Sequence, residues 1–486
     1  MNRSTTDRFS LIPVTFAAKF LQTQVAVLVV GLVPLLTWFV DSQVWAQQTE
    51  RTTEVEIDRS PEAVAAGRDL LLNYPFLPRD FHQSVFDELW KDWPEPLRTD
   101  AANASPEQRL QMAFKRFGFS SRDQDPNKAL QYVVDDEGYW SMNCFACHGG
   151  RVAGQVVEGL PNAQIALETL YADIRRTKKR LQLPFSQMDR GALVVPMGTT
   201  VGTSNAVVFG ITLMAFRDKD LDLKLFPRPP IFTNHDMDAP PWWNVSKRDR
   251  LYIDGFVEKS HRALIPFVMD QRNSGKKMRG WDDDFKKVFA YIESLEPPEY
   301  PFDIDQELAA QGRAVFQTNC ASCHGTYDQQ PTYPSRIVPI EEIGTDPVRL
   351  RSLSVEHRQG YHESWYANYT ADETVVDPGG YQAPPLDGVW ASAPYFHNGS
   401  VPTLWHILNP DQRPRIWRRP DNDAYDQQKV GLAIEALEKL PAGLRGDLRR
   451  EYFDSSVRGK SAAGHDYPAR LSDQQRNQLL EYLKTL

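Results

Sequence analysis

The sequence is poor in cysteine and lacks an excess of basic residues. Its 486 residues include only four cysteines, which excludes a scaffold held together by many disulfides. Acidic residues outnumber basic ones, 64 to 55, and the formal net charge of −9 argues against a nucleic-acid-binding protein. No methionine follows Met278. Hydrophobic residues make up 41% and charged residues 24%, which is a globular composition. The length predicts roughly two to four domains.

Long apolar runs are also scarce, and the longest lies near the N-terminus. It spans Val25–Val40, follows several basic residues and is followed by Val44-Trp45-Ala46. This order predicts a signal peptide over residues 1–46, cleaved after Ala46, and hence an exported protein that is periplasmic or secreted. The alternative is an uncleaved membrane anchor, although a run of 16 residues that contains Pro34 is short for a span that needs about 20.

The four cysteines form two copies of one short motif. Cys144–His148 (CFACH) and Cys320–His324 (CASCH) both have the C-x-x-C-H pattern of c-type haem attachment. Two thiols three residues apart on a helical turn can bond the two vinyl groups of one haem, and the adjacent histidine then reaches the iron. A zinc knuckle needs its cysteine pairs closer together, and a thioredoxin-like pair does not need the histidine. We therefore predict two covalently bound haems c, with these attachment cysteines and proximal iron ligands: Cys144, Cys147 and His148 for haem 1, and Cys320, Cys323 and His324 for haem 2.

Helical patterns flank the second motif. Leu308–Phe316 precedes it and contains Gly312, which allows another helix to approach closely. Leu471–Leu486 ends the chain, and Ser472 with Gln475 forms a capping-box pattern at its start. An N-terminal and a C-terminal helix that cross beside the haem are typical of class I cytochromes c, which this pair resembles.

The region around the first motif repeats this plan. Trp281–Leu295 carries apolar residues at helical spacing, and Pro297-Pro298 ends the pattern. Its tail, AYIESL, mirrors the EYLKTL at the end of the chain. We therefore predict a mainly α fold of two tandem class I cytochrome c-like domains with long ordered loops. Their predicted bounds are 111–296 for haem 1 and 297–486 for haem 2, after a helical N-terminal region over 47–110.

A loop near the C-terminus supplies the predicted distal ligand of haem 2. Gly464–Pro468 lies just before the last helix and holds His465. Because no methionine follows Met278, we predict that His465 completes a bis-His iron, of lower potential than a His/Met iron. A surface role for this histidine is the alternative, and His397 and His406 are rival ligands.

A proline-rich loop is predicted to orient the proximal histidine of haem 2. Pro384–Gly388 (PPLDG) resembles the Pro-x-Leu-x-Gly loop of class I cytochromes c. In that loop a proline carbonyl accepts the Nδ1 proton of the proximal histidine and fixes the ring. We assign this role to the Pro384–Pro385 backbone facing His324.

Haem 1 lacks an equivalent distal histidine. The matching window, Val268–Met278, contains Met269 and Met278, and His261 lies further upstream. Methionines in apolar stretches usually fill cores, whereas Met278 stands among three basic residues, an exposed context. We expect an iron with an open or weakly held sixth position, and a Met-ligated iron is the alternative. One open and one closed haem would separate oxygen chemistry from electron supply.

A resemblance to a known family supports this division. Ala393–Leu404 (APYFHNGSVPTL) resembles the signature of the bacterial di-haem cytochrome c peroxidase superfamily. Asn319–Tyr327 (NCASCHGTY), Trp242-Trp243 and Gly464-His465 are closer to one branch, the rubber oxygenase-like di-haem proteins. Over residues 110–486 the resemblance implies that haem 1 binds oxygen or peroxide and that haem 2 transfers electrons. It also implies that His397 is a structural or haem-edge residue.

The same resemblance suggests which residues surround the reactive haem. Trp242, Trp243 and Phe256 precede His261 and are similar to residues lining an apolar distal cavity, although aromatics so close together are as easily explained as core. Peroxide cleavage needs a nearby proton carrier, such as His261 or a carboxylate. The predicted catalytic residues are His148, His261, Trp243 and Phe256.

These inferences predict a haem oxidoreductase of peroxidase or dioxygenase type. Its small-molecule oxidant is H₂O₂ or O₂, with an unknown reductant or organic substrate and a possible redox partner protein. The alternative is a non-catalytic periplasmic electron-transfer cytochrome with two six-coordinate irons, and a gas sensor is a weaker one. Contact with a membrane is expected only if the N-terminal segment is not cleaved.

Overall fold

Helix dominates the chain. In a computed structural model, which describes residues 56–225, 233, 235–270, 272–369 and 374–486, helix accounts for about 41% and strand for about 13%, so the fold is mainly α. The predicted signal segment, residues 1–46, lies outside the described residues. The α-helices are α1 (Pro61–Asn73), α2 (Gln83–Phe86), α3 (Leu97–Asn103), α4 (Pro106–Phe117), α5 (Phe145–His148), α6 (Leu167–Arg180), α7 (Gln187–Val194), α8 (Ala206–Ala215), α9 (Gly275–Gly280), α10 (Asp282–Glu293), α11 (Gln306–Asn319), α12 (Ala321–His324), α13 (Ile340–Ile343), α14 (Val348–Ser352), α15 (Val355–His362), α16 (Leu404–Leu408), α17 (Gly446–Arg450) and α18 (Asp473–Leu483).

Short strands and single 3₁₀ turns fill the long connections. The strands are β1 (Phe81–His82), β2 (Ser121–Arg122), β3 (Asp125–Ala129), β4 (Tyr132–Val134), β5 (Tyr139–Met142), β6 (Gly149–Val152), β7 (Gln155–Glu158), β8 (Arg250–Leu251), β9 (Val257–Glu258), β10 (Ile337–Pro339), β11 (Gly380–Gln382), β12 (Ile416–Arg418), β13 (Tyr425–Asp426), β14 (Gly431–Leu432), β15 (Glu435–Leu437) and β16 (Tyr452–Asp454). Two small antiparallel sheets have the strand orders β1-β5-β4 and β15-β12-β16, and the other strands pair in twos. The 3₁₀ helices are Leu89–Asp92, Trp242–Asn244, His261–Val268, Val389–Ala391, Pro410–Gln412 and Tyr467–Arg470.

The same helix crossing occurs twice. Helix α11 packs on α18 at Gly312, where a Cβ atom would lie 2.0 Å from the carbonyl oxygen of Gln478, so the predicted close approach is confirmed. Helix α1 packs on α10 at Gly67, where a Cβ atom would lie 2.0 Å from the carbonyl oxygen of Lys287. Only glycine allows two backbones to come this close.

The helix that faces α10 belongs to the segment 47–110, which the sequence analysis treats as an N-terminal region. Gly67-Arg68 in α1 matches Gly312-Arg313 in α11, a repeat that the sequence already contains. The described residues belong to a single compact unit, so the division into two tandem domains stays a prediction. Among the described residues, no helix combines the length and hydropathy needed to cross a bilayer.

The last helix, α18, begins with the predicted capping box. The Ser472 hydroxyl accepts from the Gln475 amide at 3.2 Å, and the Gln475 side chain accepts from the Ser472 amide at 2.9 Å. Leu479, Leu480 and Leu483 are buried and pack in the core cluster that contains Phe316 of α11. This packing holds α11, and with it the start of the second cysteine motif, against α18.

Candidate haem-binding sites

The second cysteine motif forms the short helix α12 directly after α11. Cys320 and Cys323 are free thiols, both half-buried, and Ser322 between them is exposed. The Nδ1 of His324 lies 2.9 Å from the carbonyl oxygen of Pro384, so this nitrogen carries the proton and donates it. The contact expected from the Pro384–Gly388 loop is thus present, and it leaves Nε2 of the ring available to a metal.

His465 lies across a cavity from His324. The ring centroids are 6.1 Å apart, at an interplanar angle of 66°. Two metal–nitrogen bonds of about 2 Å each, added to the radii of the two rings, account for a separation of this size. The pair therefore has room for one iron between its rings.

The backbone around His465 is held in an unusual conformation. His465 has a φ of 53°, in the left-handed region, and its amide donates to the carbonyl of Ile343 at 2.7 Å. A Cβ atom on Gly464 would lie 2.2 Å from the carbonyl carbon of Gly344. The guanidinium of Arg413 donates to the carbonyl of Gly464 at 2.7 Å and is almost completely buried. Tertiary contacts therefore fix the direction in which this histidine points.

The cavity between the two histidines has the size and chemistry of a cofactor site. Its volume is about 420 Å³, and its wall includes the thiols of Cys320 and Cys323 as well as both imidazoles. Most of the remaining wall is apolar, including Phe316, Leu404, Leu408, Leu479 and Leu483. Attachment thiols, two axial nitrogens and an apolar wall in one cavity fit a c-type haem.

Burial keeps both imidazoles neutral, as metal ligands must be. Burial lowers the pKa of His465 to about 3, and the positive charge of Arg413 acts in the same direction. Burial also lowers the pKa of His324, against the opposing effect of its hydrogen bond to Pro384. Neutral imidazole presents a lone pair to iron without first losing a proton.

The first cysteine motif holds its histidine by the same kind of hydrogen bond as the second. His148 ends α5, and its Nδ1 donates to the carbonyl of Pro240 at 3.1 Å. Trp242 stacks on the His148 ring with centroids 4.7 Å apart and an interplanar angle of 22°. His148 is half-buried, and desolvation lowers the pKa of its imidazole to about 4. Unlike Ser322 in α12, both residues between the cysteines, Phe145 and Ala146, are buried.

The carbonyl that holds His148 was not anticipated, although the sequence contains a signal for it. Ala239-Pro240-Pro241 precedes Trp242 exactly as Ala383-Pro384-Pro385 precedes Leu386, so both units carry the same Ala-Pro-Pro triplet. In both, the first proline of the triplet accepts the proximal histidine's proton. The repeat supports an equivalent role for the two histidines.

Trp243 and its neighbour connect the two triplet loops. Trp243 is fully buried, and its Nε1 donates to the carbonyl of Asp387 at 2.7 Å. The side-chain amide of Asn244 donates to the carbonyl of Pro385 at 2.9 Å. Trp243 thus lies between the loops that hold His148 and His324, and its predicted catalytic role stays a prediction.

The structure does not bring the other predicted catalytic residues into contact with His148. Nε2 of His261 lies 2.9 Å from Asp282 at the start of α10, and its ring contacts Tyr369. Phe256 stacks on Tyr252 with centroids 5.1 Å apart. Both residues are buried, and a catalytic role for either stays a prediction.

The two methionines considered as ligands at the first cysteine motif, Met269 and Met278, are core residues. Met278 is completely buried, so the exposed position expected from its basic neighbours is wrong. Its sulfur lies 3.7 Å from the hydroxyl of Tyr366, and Met269 is buried in the same cluster. The reason is helical geometry: α9 turns the basic side chains outward and Met278 inward.

The two rival histidines of haem 2 occupy different positions. His397 lines the cavity and its ring contacts that of Tyr381, with centroids 4.6 Å apart. His406 is buried in α16, and its Nδ1 lies 2.7 Å from the hydroxyl of Thr403. Neither ring makes a contact with His324 like that of His465.

Comparison with known proteins finds a family match over a segment that includes the Pro384–Gly388 loop. Residues 380–418 match the family described as RoxA-like, cytochrome c-like, which supports a haem c protein. Uncharacterized protein y4iM of Sinorhizobium fredii (strain NBRC 101917 / NGR234) is 32% identical in an alignment 268 residues long, and the alignment covers 49% of this chain and 58% of that protein. Uncharacterized protein y4iJ of the same strain is 28% identical in an alignment 260 residues long, which covers 40% of this chain and 41% of that protein.

These relatives are matched over only part of their length. The chain spans 58% of the first relative and 41% of the second. Among solved structures, Kuenenia stuttgartiensis hydrazine synthase is similar over 58% of this chain and 87% of that chain, with 16% identity and a TM-score of 0.27. The cytochrome c-like match and the cavity at the second motif together define a haem-containing protein of the c type.

Proposed function

We propose that the chain is an exported di-haem c-type oxidoreductase, in which haem 1 is the site that reacts with hydrogen peroxide or dioxygen and haem 2 is a bis-His electron-transfer centre. The observation that carries the proposal is the approach of His324 and His465, at 6.1 Å between ring centroids, beside one attachment motif. At the other motif, the ring contact of His148 among the described residues is with Trp242 alone.

The difference between the two sites suggests different roles. When bound, a haem iron exchanges single electrons and, where a coordination position is open, reacts with oxygen or peroxide. Two facing imidazoles leave no open position at haem 2, which suits electron transfer. His148 alone leaves one at haem 1, and the carbonyl of Pro240 keeps its ring oriented.

The chain offers a short connection between the two proximal histidines. It begins at Pro240, which accepts from His148, and continues through Trp243 and Asn244 to the loop of Pro384, which accepts from His324. Because only a few residues and three hydrogen bonds separate the rings along either branch, this route supports electron exchange between the haems.

The surroundings of the motifs support a direction of electron flow. Phe145, Ala146 and Trp242 are buried around the first motif, which leaves little of it open to a partner protein. Around the second motif Ser322 is exposed, and so are Gln317–Asn319 at the end of α11. We therefore propose that a redox partner protein exchanges electrons with haem 2, while the small oxidant reacts at haem 1.

Low-temperature EPR of the purified oxidised protein tests the proposal. We expect one low-spin signal from the bis-His haem and one high-spin signal from haem 1, and cyanide should convert only the latter. The H465A variant should add a second high-spin signal, whereas H406Q, which changes a buried histidine outside the cavity wall, should leave the spectrum unchanged. Two low-spin signals that cyanide does not affect would instead identify an electron carrier.

Turnover assays distinguish the two types of oxidant. One assay supplies hydrogen peroxide with a reduced cytochrome, and the other supplies oxygen with polyisoprene or other olefins. Peroxide-dependent oxidation of the cytochrome would identify a peroxidase, and oxygen uptake with cleavage of the olefin would identify an oxygenase. Absence of turnover in both would reject the catalytic role of haem 1.

A further inference from the structure

Arg248 lies on the wall of the cavity that contains Cys320, Cys323, His324 and His465. Arg248 is buried, with only 8% of its surface exposed. Nε donates to the side-chain oxygen of Gln382 at 3.1 Å, and Nη2 donates to the carbonyl of Tyr252 at 2.5 Å and also to Gln382. Its polar partners are therefore neutral oxygens.

Among the described residues, no carboxylate forms an ion pair with this guanidinium. Asp254, the acidic group whose charge acts on Arg248, is already bound by two other arginines, with Arg358 at 2.7 Å and Arg349 at 3.6 Å. Arg349 and Arg358 thus share the carboxylate of Asp254, whereas Arg248 has no carboxylate partner among the described residues. Burial lowers the pKa of Arg248 to about 10, which still leaves the group charged near neutral pH.

The other charged groups on the cavity wall are balanced without Arg248. Glu342 pairs with Arg336 at 3.4 Å, and Asp387 pairs with Lys247 at 2.5 Å. Burial raises the pKa of Asp238 well above its usual value, and among the described residues no ion pair joins this carboxyl to Arg248. The cavity therefore presents a buried guanidinium that no described carboxylate pairs with, an arrangement that favours the binding of an anion there.

We propose that Arg248 binds a propionate of haem 2, an assignment that rests on the proposed function of this cavity. A c-type haem is an apolar ring with two carboxylates, and Nη1 of Arg248, which the contacts with Gln382 and Tyr252 do not use, can donate a charge-assisted hydrogen bond to one of them. Gln382 orients the guanidinium and stands two residues before Pro384, which holds the proximal histidine. Arg248 thereby sets the electrostatic environment of the same haem.

Resonance Raman spectroscopy and redox titration of the full-length holoprotein test this assignment in R248Q, R248K and R336Q. The propionate bending band reports directly on hydrogen bonds to the carboxylates, and a residue that only supports the nearby backbone would not move it. R248Q should shift this band and lower the midpoint potential of haem 2 but not of haem 1, because loss of a nearby positive charge favours the oxidised iron. R248K keeps the charge but loses the planar fork, so it should shift the band with little change in potential.

R336Q is the matched control, since Arg336 lines the same cavity but is exposed and already paired with Glu342. It should leave both the band and the potential unchanged. Pyridine haemochrome analysis shows whether haem is still attached to each variant. If it is, and the band does not move in R248K or in those preparations of R248Q that accumulate, the assignment of Arg248 is overturned while the proposed function stands. A wild-type protein that carries no haem on Cys320 and Cys323 would overturn the proposed function together with it.

Discussion

Trp243 donates a hydrogen bond of 2.7 Å to the carbonyl oxygen of Asp387, across 144 residues of sequence. Each partner stands three residues after the proline whose carbonyl holds a proximal histidine, Pro240 in one case and Pro384 in the other. The bond therefore ties together the two loops that orient the two candidate iron ligands.

Replacing Trp243 with phenylalanine removes this bond and leaves a buried carbonyl unpaired. We expect the free energy of unfolding to fall by about 2 kcal/mol. We also expect slower electron exchange between the haems, measured by stopped-flow reduction, while haem content stays at two per chain. The H406Q variant is the control for a buried change outside this connection. Unchanged exchange kinetics in W243F would remove Trp243 from the proposed route.

Replacing His465 with methionine should convert haem 2 from bis-His to His/Met ligation. Because a thioether stabilises the reduced iron better than an imidazole does, the midpoint potential of haem 2 should rise. Redox titration followed by optical spectroscopy measures this shift, and EPR should show an altered low-spin signal. If the potential and the signal both remain as in the wild type, another residue is the distal ligand.

The two glycine contacts predict a sharp contrast among alanine substitutions. G67A and G312A each place a Cβ atom 2.0 Å from a backbone oxygen of the crossing helix, so the helices must separate. We expect each to lower the free energy of unfolding by about 1–3 kcal/mol in denaturant titrations. G210A in α8, where nothing lies within 4 Å of the new atom, should be neutral or stabilise by about 0.5–1 kcal/mol.

A buried carboxyl group gives a prediction for the pH dependence of stability. Burial raises the pKa of Asp80 from 3.8 to about 7, and the hydroxyl of Tyr171, which donates to it at 2.7 Å, only partly opposes this. The folded protein therefore binds a proton more tightly than the unfolded chain. This contribution to stability is complete below pH 3.8 and is lost as the pH rises to about 7.

The D80N variant isolates this effect, because asparagine has the same shape and carries no charge. At pH 8 we expect D80N to exceed the wild type in free energy of unfolding by at least about 1 kcal/mol, and at pH 4 the difference should be small. Denaturant titrations across this range measure the difference. The opposite trend, with the wild type gaining stability relative to D80N as the pH rises, would show that Asp80 is ionised in the fold.

Short patterns allowed the attachment motifs to be recognised without a structure. The spacing of Cys320, Cys323 and His324 is local, since a single helical turn brings these groups together. The same holds for the capping box at Ser472 and for the close approach at Gly312. The equivalent features at Gly67 and Pro240 were also readable, but only as repeats of patterns first understood in the second half of the chain.

Other positions could not be placed in this way. Met278 was expected to be exposed because its neighbours are basic, but the direction of α9 against the core turns it inward. Trp243 stands in sequence beside Trp242 and near Phe256, but its indole donates to the loop of Asp387, 144 residues away. In both cases the neighbours in the sequence did not predict the neighbours in the folded structure.

The sequence by itself determined which residues can attach haem and which histidine follows each pair, because those groups lie within one helical turn of each other. Tertiary structure alone decided that His465 faces His324, that Trp243 joins two loops 144 residues apart, and that Arg248 is buried without a carboxylate. Partners distant in the chain meet only where packing and backbone geometry bring them together, and local patterns do not specify that outcome.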